Sequence, residues 1–280
     1  MTETGPVAAR VLLGRELAEL RNAADLKPGP VAETLGWDAS KLYRVEQGQN
    51  TLKATEVDEL LRLYKADKTT AERIKVIAAD ARKRGSYGKV ADWSRHYYGL
   101  EQDATELAFH QDVLVPGLFQ TKDYARALIG TSKTMAPSDV DQAVETRIKR
   151  QSLLHRTKPP AVHLVLGEAA LHQQVGGPAV LAEQLDHLAQ LARLPHITVQ
   201  LFPFSGGAHA SLGQGFILLT LEIGGEPTRW VYLSDLTRGE CRSDQARVRV
   251  YQLTFDSLVA DALGEAETIA RLEQARDGLR

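Results

Sequence analysis

Val11, Leu13, Leu17 and Leu20 recur near helical spacing in "AARVLLGRELAELRNAA", and residues 8–24 therefore predict an amphipathic helix. The pattern breaks at "DLKPGPVAETLG". Pro30 suits the first position of a second, short helix, where a missing N–H has no intrahelical partner to lose. Gly36 suits a left-handed residue closing that helix. In "WDASKLYRVEQGQ", Asp38 is placed to cap a third helix with its carboxylate. Leu42 and Val45 point one way along it, Ser40, Lys41 and Arg44 point elsewhere, and Gly48 ends it. Helices over about 54–64 and 70–84 complete a run of five.

The pattern then changes. "TELAFHQDVLVPGLFQTKDYARALI" reads as a turn at Pro116-Gly117 followed by a helix capped near Thr121, and residues 137–155 read as another helix. "AVHLVLG", the periodic helix "PAVLAEQLDHLAQLA" and "HITVQLFPF" form a strand–helix–strand unit consistent with a parallel crossover. "QGFILLTLEI" and "TRWVYLS", joined through "GGEP", predict an antiparallel hairpin, and helices at about 243–262 and 265–276 finish the chain. The expected fold is α+β overall: an N-terminal all-α bundle of five helices, then a C-terminal α+β domain with at least four strands. The expected domains are 1–84 and 101–280, with 85–100 as linker. That seam holds a basic cluster (Arg82, Lys83, Arg84, Lys89) and a set of aromatics (Trp93, Tyr97, Tyr98). The cluster reads either as a solvated helix end or as extra contact with phosphates; the aromatics read as an anchor for the second domain.

Composition narrows the class. A chain of 280 residues, 43% hydrophobic and 25% charged, has enough apolar material for two globular cores. Its one cysteine, Cys241, excludes an internal disulfide and suits a reducing compartment. The first ten residues lack a signal-peptide layout, and no apolar run approaches the roughly 18 residues of a membrane span, so a cytoplasmic location is expected. Net charge is −2, unevenly spread: residues 1–92 carry 16 basic and 14 acidic groups, the rest 18 and 22. An excess of two positive charges suits nucleic acid only if they are gathered on one face.

Two short helices joined through a glycine, with polar residues on the second, form a helix-turn-helix pattern. Its second helix would enter a major groove with Ala39, Ser40 and Lys41 near base edges and Arg44 one turn on. Arginine can donate twice to guanine, serine can bond a base or a phosphate, and alanine can meet a thymine methyl. Lys41 and Lys53 read as phosphate contacts. By periodicity alone, a five-helix bundle with solvated charges is as compatible with this stretch as a DNA reader. The residues Leu26, Val31, Ala32, Leu35, Gly36, Ser40, Leu42, Arg44, Val45, Glu46 and Gly48 in "LRNAADL…VAETLGWDASKLYRVEQGQ" resemble the XRE-type (phage-repressor-like) helix-turn-helix family. The resemblance implies a structural ion pair between Arg21 and Glu46. It also implies a Thr-Gln pair at the start of the second helix, where this chain has Lys27-Pro28 and then Gly29-Pro30. Two amide donors are thereby lost, Lys27 is left as a point charge toward phosphate, and altered operator affinity is expected.

The second half, in "YYGLE", "VPGLFQTKDYARALI", "RIKRQSLL", "PPAVHLVLGEAALHQQVGG" and "ITVQLFPFSGGAHASLGQGFILL", is similar to the C-terminal domain of a large actinobacterial group of XRE-type regulators, from about Tyr97 to Ala270. That resemblance implies a transcriptional regulator, a C-terminal domain with no assigned activity, and a small acidic companion protein encoded nearby. The group's Val-Tyr-x-Glu run reads "VYLSD" here, with Ser234 in place of the glutamate.

Glu168 after a strand and His209 in a glycine-rich loop could support acid–base chemistry. The chain carries no G-x-S-x-G elbow, P-loop or dinucleotide fingerprint, however, and its eight histidines show no metal-ligand spacing. No enzyme, metal or cofactor is expected. Glu168, Phe204 and His209 are expected to border a ligand or partner site. The function expected is a sequence-specific DNA-binding regulator that acts as a homodimer on double-stranded DNA with two half-sites. The alternative is an antitoxin-like or scaffolding protein whose main role is to bind the small neighbour.

Overall fold

The computed structural model describes residues 5–83 and 92–280, which form two compact units. The described part of the first holds 5–83, 95–103 and 221–228; the second holds the remainder. Helices α1 (Pro6–Ala23), α2 (Pro28–Thr34), α3 (Ala39–Glu46), α4 (Ala54–Leu63) and α5 (Lys68–Ala81) are the five that periodicity predicts. They share one core, in which Leu13 and Leu17 of α1 meet Val31 of α2, Leu42 and Val45 of α3, Leu60 of α4 and Ile74 of α5. α2 starts at Pro28, two residues earlier than expected: the first turn tolerates both prolines, and Lys27 is held extended before the first of them. Gly36 has φ +64°, the left-handed conformation that lets the chain turn between α2 and α3 without a Cβ penalty.

Gly14 serves a different purpose. A Cβ there would lie 2.5 Å from the Val45 carbonyl oxygen and 2.6 Å from that of Glu46. The missing side chain is what allows α1 to touch the end of α3.

Residues 92–103 form α6 (Asp92–Asp103), across the second half of the stretch expected to be a linker, 85–100. Tyr97 and Leu100, three residues apart, are both buried. Tyr97 and Leu100 thus lie on one buried face of the helix. Arg84, Lys89 and the Trp93 side chain lie outside the described residues.

The sheet has six strands: β1 (Glu106–Gln111), β2 (Ala161–Gly167), β3 (Ile197–Phe202), β4 (Phe216–Ile223), β5 (Glu226–Ser234) and β6 (Gly239–Arg242). Their order is β3-β2-β1-β4-β5-β6. β1 runs parallel to β2 and antiparallel to β4, and β2 runs parallel to β3. The remaining helices are α7 (Lys122–Ile129), α8 (Pro137–Arg150), α9 (Pro178–Leu191), α10 (Gln245–Asp261) and α11 (Glu265–Asp277). The β2–α9–β3 crossover and the β4–β5 hairpin agree with the pattern, and the hairpin turns on Gly224 and Gly225, both at positive φ. The last five residues of the helix expected over 137–155 are a 3-10 turn, Gln151–His155.

α10 covers one face of the sheet, where Val248, Phe255 and Leu258 pack on Val165, Phe216, Leu218 and Val231. On the other face the Phe119 ring meets Phe109 of β1 edge-on at 5.3 Å. Buried Gln184 of α9 fixes that segment by donating to the Phe119 carbonyl and accepting from the Thr121 amide, each at 2.8 Å. No helix among the described residues is long and apolar enough to cross a membrane.

His163 of β2 lies under α10, edge-on to Phe255 at 5.2 Å and 2.7 Å from Gln200 Oε1. Burial lowers its pKa from the ordinary value, against smaller opposing effects from Gln200 and Glu265. The unfolded chain then takes up this proton first, near pH 6.5, and stability falls as pH drops from there toward the folded-state pKa. Each such group contributes a slope of up to about 1.4 kcal/mol per pH unit in that window. Denaturant unfolding between pH 7 and pH 5 should show the decline, and His163→Gln should flatten it. An unchanged slope in that variant would assign the proton to other groups.

Candidate nucleic-acid interface

α3 stands on Leu42 and Val45, each nearly fully buried, whose side chains contribute about 1.5–3 kcal/mol apiece to holding it on the bundle. Its orientation is fixed at both ends. At the carboxyl end, Arg21 of α1 donates to both oxygens of Glu46, Nε to Oε1 at 2.6 Å and Nη2 to Oε2 at 3.1 Å. Arg21 also donates to the Leu26 carbonyl at 2.8 Å, tying the turn before α2 into the same knot. Both side chains are largely buried, and the bond to Glu46 raises the arginine pKa further. At the amino end, Asp38 accepts from the Lys41 amide at 2.7 Å and from the Ser40 hydroxyl. Those two bonds hold its carboxyl below the usual range, so an anion sits at the tip of the helix.

The outward face carries Ser40, Tyr43 and Arg44. Tyr43 is 51% exposed, and the Arg44 side chain is 43% exposed with Nη2 3.9 Å from Asp38 Oδ1. Tyr43 is absent from the residues singled out by sequence; its exposure in an otherwise amphipathic helix is the signal that could have found it. Ala39 opens α3, and its side chain lies outside the described residues.

Lys41, expected to reach a phosphate, has its Nζ 2.7 Å from Glu56 Oε1 and 3.9 Å from the centre of the Trp37 ring. The ion pair fixes α3 to the start of α4, because Glu56 also accepts from the Lys53 amide at 2.7 Å. A cation between a carboxylate and an indole face is already neutralised and has less to gain from a phosphate. The Lys53 side chain is exposed beside that junction, and Lys27 is exposed at the start of α2. With prolines at 28 and 30, and the Val31 amide directed to Lys27 O at 3.4 Å, Gly29 keeps the free amide of the first turn of α2.

The second unit brings two of the other three sequence candidates, Glu168 and Phe204, into contact and places His209 in a different cluster. One Glu168 oxygen accepts from the Phe204 amide at 2.8 Å and the other meets Arg271 of α11 at 2.6 Å. Phe204 is 65% exposed, its ring stacked near His172. His209 lies beside Asp112 and His110, two residues that sequence reasoning did not select. A cavity of about 440 Å³ lies elsewhere, at the amino ends of β1 and β2, where Glu106, His163, Arg229 and Asp256 are among its lining residues.

The buried arginine–glutamate lock, the glycine turn and the polar face of α3 define a helix-turn-helix domain, and the family description "Helix-turn-helix domain" matches residues 12–74. Residues 94–274, more than half of the chain, match the family described as "Domain of unknown function (DUF5753)". The chain belongs to that family: a helix-turn-helix domain followed by a C-terminal domain whose role is not established. No curated protein and no solved structure matches it.

Proposed function

We propose that the protein is a sequence-specific DNA-binding transcriptional regulator that works as a homodimer on two half-sites about one helical turn apart. The observation that carries this reading is α3: it is held at both ends by buried or capping interactions while Ser40 and Tyr43 stand exposed and Arg44 half-exposed between them. Arg44 reads a base edge, Ser40 a base or a phosphate, and Lys27 and Lys53 hold the backbone. The C-terminal domain supplies dimer contacts and takes the regulatory signal from a ligand or a companion protein. In this reading the chain catalyses no reaction and works in the cytoplasm.

The test is a gel shift on the chain's own promoter, repeated over a range of salt. Retention should be specific and should weaken steeply as salt rises. Arg44→Ala should cost about 1–3 kcal/mol on the preferred site and relax preference at one base pair. Lys53→Ala should weaken binding to all sequences alike and reduce the log–log salt slope by about 0.9. Lys41→Ala should leave that slope unchanged, because its charge is already paired. Equal retention of unrelated DNA, or none at all, would remove the reading.

A second reading draws on the committed Lys41 and on the two prolines of α2, which leave few phosphate donors. Here the chain is chiefly the antitoxin-like or scaffolding partner of a small neighbouring protein. Retention of that protein by a chain that ignores the promoter would favour it. A Pro28→Gln variant that gains operator affinity would favour the regulator.

A further inference from the structure

His110 is the fifth residue of β1 and fully buried; Asp112 follows just past the strand end; His209 comes from the segment between β3 and β4. One ligand atom from each lies within 4.8 Å of the others, the one such group of three among the described residues. His110 Nε2 is 3.3 Å from Asp112 Oδ1, and His209 Nε2 is 3.4 Å from the same oxygen.

The hydrogen bonding around the cluster fixes what these atoms are. His110 Nδ1 lies 3.3 Å from the Val165 carbonyl, which can only accept, so Nδ1 carries the ring proton. Nε2 is then the ring nitrogen left to face the cluster. It is buried and makes no hydrogen bond. A buried ring nitrogen without a hydrogen bond, 3.3 Å from a carboxylate oxygen, is an unmet polar group that a cation between the two would satisfy. His209 Nδ1 is 3.2 Å from Ser211 Oγ, and the second Asp112 oxygen accepts from the Gly213 amide. Each group therefore has an outer partner on the side away from the cluster, the arrangement that orients metal ligands. Phe202, 4.7 Å from His209, and Phe216, 5.5 Å from His110, wall the cluster with apolar rings.

We propose that His110 Nε2, Asp112 Oδ1 and His209 Nε2 form a binding site for a single divalent transition-metal ion of the zinc class, with a fourth position open. Bonds of about 2.0–2.1 Å at tetrahedral angles set neighbouring ligand atoms about 3.3–3.4 Å apart, the spacing of both histidine nitrogens from the aspartate oxygen. Two imidazoles and one carboxylate select this class over magnesium and calcium, which take oxygen ligands. The site lies at the carboxyl end of β1, the strand that pairs with parallel β2 on one side and antiparallel β4 on the other. An ion there fastens the 204–215 segment to the end of the central strand. The inference does not depend on the DNA-binding reading.

The test uses the full chain, stripped with a chelator and titrated with zinc chloride against a chromogenic indicator. One ion should bind per chain, raise the thermal midpoint and resist displacement by excess magnesium. His209→Ala and Asp112→Asn should each weaken zinc by more than the roughly 10–100-fold that loss of an outer partner costs. Asparagine retains an acceptor for the Gly213 amide, so Asp112→Asn preserves that bond while removing the charge. Circular dichroism establishes that each variant is folded. If the stripped wild-type chain takes up no zinc, or if both folded variants bind it as tightly as the wild type does, the cluster is a hydrogen-bonded triad and the proposal fails.

Discussion

Glu46→Ala lowers the unfolding free energy of the helix-turn-helix unit by about 3–5 kcal/mol, the range for removing one partner of a buried ion pair. The side chains of Arg21 and Glu46 are only 9% and 13% exposed, and Arg21 holds both carboxylate oxygens. Truncating the glutamate leaves a guanidinium out of water with the Leu26 carbonyl and the Asn22 side chain as its remaining acceptors. Most of the loss is this stranded charge. The double replacement Arg21→Met with Glu46→Leu should therefore recover much of it, because an apolar pair of similar volume removes the penalty. Urea denaturation followed by circular dichroism reads both numbers. A loss under about 1 kcal/mol for Glu46→Ala would mean that the pair behaves like an exposed one.

Gly14→Val is the second large effect, with an expected loss of about 1–3 kcal/mol, the cost of overpacking a filled core. Two effects compete. Replacing a helical glycine by a residue with a side chain gains up to about 1 kcal/mol of helix propensity, most for alanine and less for a β-branched residue. Against this, the new Cβ meets two backbone carbonyls, those of Val45 and Glu46, and neither can rotate away as a side chain would. The collision wins, and its relief moves the end of α3 from α1, straining the Arg21–Glu46 bonds. Gly14→Ala is the control: propensity favours it most, so a net loss there isolates the steric effect. Increased stability in Gly14→Ala would show that the two helices part at no cost.

The helices were legible because their apolar residues face one core each: Leu13 and Leu17 of α1, Leu42 and Val45 of α3, and Leu181, Leu185 and Leu188 of α9 recur at the spacing of one helical face. β1 was not. It is the third of six strands, and the buried residues Leu107, Phe109 and His110 lie on both of its faces, so it lacks the alternation that marks a half-buried strand. β6, four residues long, offers too short a run to carry a pattern. α6 was hidden because Tyr97 and Tyr98 read as an aromatic cluster, whereas the helix buries Tyr97 together with Leu100 three residues on. On α3 the sequence supplied the capping residue and the buried pair but not the fate of Lys41. A lysine's charge is visible in the chain; the Glu56 that neutralises it, one helix later, is a property of packing. Distance along the chain also concealed the cluster in the second unit, where His110 and His209 are brought together only by the return of β4 alongside β1. Glu168 stands at the end of β2 as the chain suggested, and its ion pair with Arg271 of α11 is a contact that only packing reveals.

The pairing of β1 governs when the protein can become whole during synthesis. Its parallel neighbour begins at Ala161 and its antiparallel neighbour at Phe216, so one edge of this strand stays unpaired until about three quarters of the chain has been made. The five-helix core is complete by Ala81 and can collapse as soon as it leaves the ribosome. A message truncated before Phe216 would thus yield a formed bundle tethered to a bare, apolar strand edge, which is a seed for aggregation.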